Sequence, residues 1–63
     1  MPIVSIKMIT GRSEAQKAEL IRRVAESVST ALDAPVDTVR IMISECAIEN
    51  WGIGPASAKA KGR

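Results

Sequence analysis

Two short stretches of alternating apolar residues flank one long stretch with helical spacing, and that order leaves few folds open. Residues 2–9 read PIVSIKMI, with Val4, Ile6 and Met8 on one side and Ile3, Ser5, Lys7 and Ile9 on the other. The alternation predicts a β-strand with apolar character on both faces, suited to a sheet covered on one side and in subunit contact on the other. Residues 39–45 read VRIMISE, with Val39, Ile41 and Ile43 on one face and Arg40, Met42 and Ser44 on the other, and predict a second strand. Between them Leu20, Ile21, Val24, Ala25, Val28, Ala31 and Leu32 recur at helical spacing, while Lys17, Glu19, Arg22, Arg23, Glu26 and Thr30 supply a polar side. Ser13-Glu14-Ala15-Gln16 reads as a capping box that starts the helix, and Glu14 suits the positive end of its dipole. Ala34-Pro35 ends it, because the residue before a proline is driven toward extended geometry. Two strands joined by a helix of about 20 residues, roughly 30 Å long, run parallel with a right-handed crossover.

The fold class is therefore α/β: a single β-α-β unit, one domain over residues 1–63, with a C-terminal β-hairpin. The hairpin is placed at Trp51-Gly52-Ile53-Gly54-Pro55, whose glycines fit a tight turn better than a helix. Residues 57–63 are small and basic and are expected to fray unless they pack on a neighbour. Such a unit is short of cover. Two parallel strands leave both edges and one face open, and a chain of 63 residues buries only about 60% of the surface its unfolded form exposes. Chains of this size rely on disulfides, a metal or a partner subunit. One cysteine forms no internal disulfide, and without histidine a single thiol provides no ligand set, so no metal site is expected. Self-association is what remains.

Composition narrows the partners further. A hydrophobic fraction of 46% and a charged fraction of 25% belong to a folded globular domain. No apolar run of about 18 residues and no signal-peptide pattern is present, so a cytoplasmic address with no membrane partner is expected, which a lone reduced thiol fits. The net charge is +2, mild for a nucleic-acid binder. A small dimeric β-ribbon reader would need clustered cations, whereas Lys7, Arg12, Arg22, Arg40 and Lys59 are scattered among acids and Trp51 is the only aromatic residue. No nucleic-acid partner is expected.

The absence of histidine bears on chemistry, because histidine is the usual proton carrier near neutral pH. An enzyme built from this chain must use a perturbed carboxylate or lysine, the thiol of Cys46, or its own α-amine. The sequence begins Met1-Pro2, and an initiator methionine before a small residue is normally removed, which would expose a prolyl secondary amine. With Met1 in place, the same nitrogen is an amide with no basicity. A free α-amine titrates at about 7.7 to 8.0, and burial beside cations lowers it further, so it is partly neutral at pH 7 and can abstract a proton α to a carbonyl. Arg12 and Arg40 are planar cations suited to bidentate capture of carboxylates. An amine base, two arginines and an apolar pocket would suit a small dicarboxylate or 2-oxo acid. Taken singly, each residue has a plainer reading: Arg12 as a solvated cation, Arg40 as a cross-strand ion-pair partner, Trp51 as interface packing, and Cys46 as a small buried hydrophobe. Arg22 and Arg23 read as a polar helix face, and Glu45 and Glu49 show no pairing that argues for acid–base work.

Together, PIVSIKMITGRS, LDAPVDTVRIMISE and WGIG resemble the 4-oxalocrotonate tautomerase family, of the short-chain hexameric type, over nearly the whole chain. The resemblance implies a homohexamer built as a trimer of dimers, each dimer a four-stranded sheet backed by two helices. It implies a cofactor-free isomerase of aromatic hydrocarbon catabolism that moves a proton between carbons of an enol or unsaturated 2-oxo acid, such as a 2-hydroxymuconate-like dicarboxylate. By resemblance Pro2, freed of Met1, is the general base, and Arg12 binds the distal carboxylate. Arg40 of a neighbouring subunit holds the other carboxylate and polarises the 2-oxo group. Trp51, where the family commonly has phenylalanine, forms an apolar wall, with Ile9 and Ile53 beside the substrate. The alternative is another proline-amine enzyme of the same superfamily, with dehalogenase, hydratase or carbonyl-capturing activity, since a neutral secondary amine is also a nucleophile. The family's dehalogenases carry an acidic residue where this chain has Ile53, which speaks against efficient water activation.

Overall fold

In the computed structural model, which describes residues 1–62, β1 (Ile3–Ile9) and β2 (Arg40–Cys46) pair in parallel, in a register running from Ile3↔Arg40 to Ile9↔Cys46. The second strand starts and stops one residue later than the alternation predicts. Val39 is drawn into the preceding 3₁₀ turn, Val36–Thr38, where its N–H donates to the Val36 carbonyl at 3.1 Å. At the far end the ladder holds through Cys46, whose carbonyl accepts the N–H of Thr10 at 3.0 Å.

The crossover is α1 (Glu14–Leu32), and its predicted capping box forms. The Gln16 N–H donates to Ser13 Oγ at 3.1 Å and the Ser13 N–H donates to Gln16 Oε1 at 2.9 Å, satisfying two donors that a helix start leaves orphaned. The stop comes slightly before the Ala34-Pro35 pair. Asp33 takes the left-handed conformation (φ 52°, ψ 47°), and its N–H and that of Ala34 turn back to the carbonyls of Ser29 and Thr30.

The helix lies over the face carrying Val4, Ile6 and Met8 of β1 with Ile41 and Ile43 of β2, all of them half-buried. Its own half-buried residues include Leu20, Val24 and Val28, and the same stripe extends one turn back to Lys17. Lys17 was expected on the polar side. Instead its long stem reaches over the sheet end and its Nζ lies 2.7 Å from Glu45 Oε1, an ion pair between residues 28 apart in sequence.

The opposite sheet face is bare, with Ile3 65% and Met42 55% exposed. Among the described residues only Ala58 is a fully buried apolar side chain. The accessible area is 4722 Å², against roughly 3,900 Å² for a compact monomer of this mass. The radius of gyration is 14.7 Å, where a compact chain of this length would have about 10.6 Å. A single copy does not close its own core.

β3 (Gly52–Ile53) and β4 (Ala56–Ser57) form the expected antiparallel hairpin, turned at Gly54 (φ 64°) and separate from the β1–β2 sheet. The expectation that residues 57–63 fray needs correcting over 57–62. Ser57 belongs to β4, and the N–H of the buried Ala58 donates to the Trp51 carbonyl at 2.7 Å. The Lys61 N–H returns to the Ser57 carbonyl at 3.1 Å, so a small residue and two backbone bonds hold this segment. Arg63, part of the same expectation, lies outside the described residues.

Candidate active site

Parallel register places Pro2 beside Arg40. Pro2 immediately precedes β1 and Arg40 opens β2, and the Arg40 N–H donates to the Pro2 carbonyl at 2.9 Å. The Pro2 nitrogen carries no hydrogen and takes no part in the ladder. The Arg40 side chain is exposed and runs back along the 3₁₀ turn, its Nη1 donating to the Asp37 carbonyl at 2.7 Å. Thr38 stiffens that turn by donating its N–H and hydroxyl to the Pro35 carbonyl at 3.0 and 2.7 Å. No carboxylate pairs with Arg40 among the described residues, so its guanidinium is held by a neutral carbonyl and keeps donors for an anion.

Arg12 sits at the other end of the ladder. The chain leaves β1 at Ile9 and swings into the helix through Gly11, whose φ of 137° is open to glycine and strained for any other residue. The seven residues of β1, at about 3.3 Å each, put roughly 23 Å of strand between the two ends. One chain therefore does not bring its Arg12 to its own Pro2. Trp51 and Ile53, both half-buried, follow from the Arg12 end of β2 through the 3₁₀ turn Ile48–Asn50. The sequence-predicted residues thus divide into Pro2 with Arg40 at the start of the ladder, and Ile9, Arg12, Trp51 and Ile53 at or beyond its finish.

Arg12 lines a cleft of about 250 Å³ with Met8, Gln16, Lys17 and Leu20. Met8 and Leu20 supply apolar wall. Gln16 spends its carbonyl oxygen on the capping box, which leaves its amide N–H groups as donors beside the two cations. Such a lining suits an anionic group at the end of an apolar chain. Sequence reasoning missed Lys17 and Glu45, although the 17-20-24-28 spacing already placed Lys17 on the inner stripe.

Residues 2–61 match the family described as tautomerase enzyme. The chain belongs to the tautomerase family. It is 51% identical to a 2-hydroxymuconate tautomerase of Stutzerimonas stutzeri and 48% identical to one of Pseudomonas putida, in each case over 63 residues and the full length of both proteins. Its fold matches a 4-oxalocrotonate tautomerase isozyme of Methylibium petroleiphilum with a TM-score of 0.92 and 45% identity, covering 98% of this chain and 100% of the other. It also matches a chain of the heterohexameric 4-oxalocrotonate tautomerase of Chloroflexus aurantiacus J-10-fl with a TM-score of 0.89 and 37% identity, covering 94% and 95%. The β-α-β unit with its C-terminal strands is the 4-oxalocrotonate tautomerase fold, and the chain is a tautomerase-type isomerase.

In this tautomerase Glu19, Arg22, Arg23 and Glu26 bond one another along α1. Arg22 bonds Glu19 and, at 3.0 Å, Glu26, while Arg23 bonds Glu19 at 2.8 Å, a solvated lattice on the outer helix face as its spacing predicts. Hydrogen bonds from Arg22 and then Arg23 hold the Glu19 carboxyl down to about 2, and Glu19 in turn raises Arg22. Cys46 is half-buried, with its Sγ 3.5 Å from the Ala47 carbonyl and no base beside it among the described residues. The described residues include no acid, thiol or imidazole cluster able to hold a metal, and no helix long and apolar enough to cross a membrane.

Proposed function

We propose that, once Met1 is removed, this tautomerase isomerises 2-hydroxymuconate or a closely similar enolic dicarboxylate, with Pro2 as general base. The neutral amine takes the hydroxyl proton of the dienol, leaving an enolate, and delivers it to a carbon of the conjugated chain as the 2-oxo group forms, so no proton is gained or lost and no cofactor enters. Arg12, which its own chain holds about 23 Å of strand away from Pro2, holds the distal carboxylate from another chain. Arg40 of a neighbouring subunit holds the other carboxylate and stabilises charge on the 2-oxygen as the enolate develops, where preorganised donors contribute most. Trp51, Ile9 and Ile53 form an apolar wall that keeps the amine desolvated and hence partly neutral.

The observation that carries this reading is the full-length identity of 51% and 48% to 2-hydroxymuconate tautomerases, in a chain whose exposed Arg40 guanidinium has no carboxylate partner among the described residues and so keeps donors for a neighbouring chain's substrate. The roughly 23 Å of strand between Pro2 and Arg12 then requires at least two chains for one site. We assign the assembly as a homohexamer, a trimer of dimers whose paired sheets have four strands backed by two helices, working in the cytoplasm on intermediates of aromatic catabolism. Ile53 offers no group to activate water, which places tautomerisation ahead of hydration or dehalogenation.

The test is the conversion of 2-hydroxymuconate by three forms: the mature protein, Pro2→Ala, and a form with Met1 retained, confirmed by intact mass. Both altered forms are expected to lose at least about a hundredfold in kcat while keeping the oligomer of the mature protein. Full activity in either overturns Pro2 as the base.

A further inference from the structure

We propose that Lys17, held by Glu45, is a second cation of the Arg12 cleft and sets the enzyme's preference for substrates anionic at the end remote from the reacting carbons. The inference rests on reading Arg12 as the residue that holds the distal carboxylate. Lys17 occupies a position on the inner helix stripe one turn before Leu20, where an apolar side chain would pack on Met8 without desolvating a charge. It also places a cation in the first turn of α1, the end where the helix dipole already favours anions. Partly shielded ion pairs replaced by apolar residues often leave a fold as stable or more so, so packing alone gives no reason for this lysine.

The cleft supplies one. Glu45 lies on the helix-covered side of β2, paired across the ladder with Met8, and its Oε1 accepts one bond from Lys17 Nζ at 2.7 Å. An ammonium has three donors, so two remain beside the Arg12 guanidinium and the Gln16 amide. Side chains of Lys17 and Glu45 are 29% and 26% exposed, which weakens solvent screening in the cleft. The charged residues lining the cleft are Arg12 and Lys17, so the lining is cationic, and Glu45 tempers it through its bond to Lys17, with the exposed Glu14 at the helix start. An uncharged substrate end gains nothing from that arrangement. A carboxylate gains charge-assisted bonds from both cations.

The experiment compares kcat/KM for the dicarboxylate 2-hydroxymuconate with that for the monocarboxylate phenylenolpyruvate. Lys17→Met is expected to lower the ratio of the two roughly tenfold, through KM for the dicarboxylate, the loss typical of one hydrogen bond to a charged group. Lys17→Arg should restore the ratio, and Glu45→Gln, which releases Lys17, should raise it. The double replacement Lys17→Met with Glu45→Met fills the site with apolar residues and is expected to keep the oligomer yet show the same lowered ratio, separating substrate selection from a packing role. An unchanged ratio in Lys17→Met, or an equal loss of kcat on both substrates, overturns the proposal. Arg12→Ala is measured alongside. If it lowers the ratio and Lys17→Met does not, only the role of Lys17 falls; if Arg12→Ala leaves the ratio unchanged, the reading of Arg12 falls and takes this proposal with it.

Discussion

Arg12 depends on Gly11. The φ of 137° at Gly11 lets the chain leave β1 and enter α1 with Arg12 over the cleft, and no atom crowds the place where a Cβ would stand. The constraint is therefore backbone conformation and not space. Gly11→Ala is expected to cost about 1–3 kcal/mol of stability in urea titration and to raise KM for a dicarboxylate more than it lowers kcat, because the turn relaxes and carries Arg12 with it. The proposed trio of Pro2, Arg12 and Arg40 was legible in the sequence: a chain without histidine leaves its terminal amine as a candidate base, and the two arginines stand in register with the family pattern. Lys17–Glu45 was not legible. Its partners are 28 residues apart and meet only because ladder register and helix rotation coincide at the sheet end.

At the scale of elements, periodicity was enough to give both strands, the helix and its cap, since alternation and the 3.6-residue repeat reflect which face is covered. It could not give the limits of β2. Those follow from which N–H groups the 3₁₀ turn claims and which the ladder claims, a competition between bonds of similar strength. Nor did composition reveal that Ala58 is buried with its N–H bonded to the Trp51 carbonyl, because a small residue in a basic tail resembles a frayed end. The outer face of α1 supports one pH prediction. Glu19 titrates near 4.5 unperturbed and at about 2 when folded, so its stabilisation is complete above 4.5 and disappears as pH falls toward 2. Glu19→Gln should flatten the acid limb of a stability–pH curve in that window, and salt should shrink the difference because the pair is solvated. A curve of unchanged slope would show that the network contributes nothing.

On the proposed assembly, the single chain is a fragment of its functional unit. Its bare sheet face, exposed Ile3 and Met42, and radius of gyration well above that of a compact chain describe a surface made to be covered. On the same proposal the site is divided between chains, and the division can be tested by mixing. Inactive Pro2→Ala and inactive Arg12→Ala proteins, unfolded together and reassembled in equal amounts, should regain about a quarter of wild-type activity, because random pairing across the interface unites one intact Pro2 with one intact Arg12 in that share of sites. Recovery of none would mean that both residues serve from one chain.

Chain ends are ordinarily the loosest part of a protein. Here the second residue is tethered by its carbonyl to Arg40 while its nitrogen is left outside every backbone bond of the ladder. Cleavage of the Met1–Pro2 bond thus creates the amine without disturbing what positions it. On the proposed mechanism the newly made polypeptide is its own zymogen, already folded and already assembled, and activated by loss of a single residue. A fusion or affinity handle placed at the amino terminus would hold it in that silent form, whereas one at the carboxyl terminus would not.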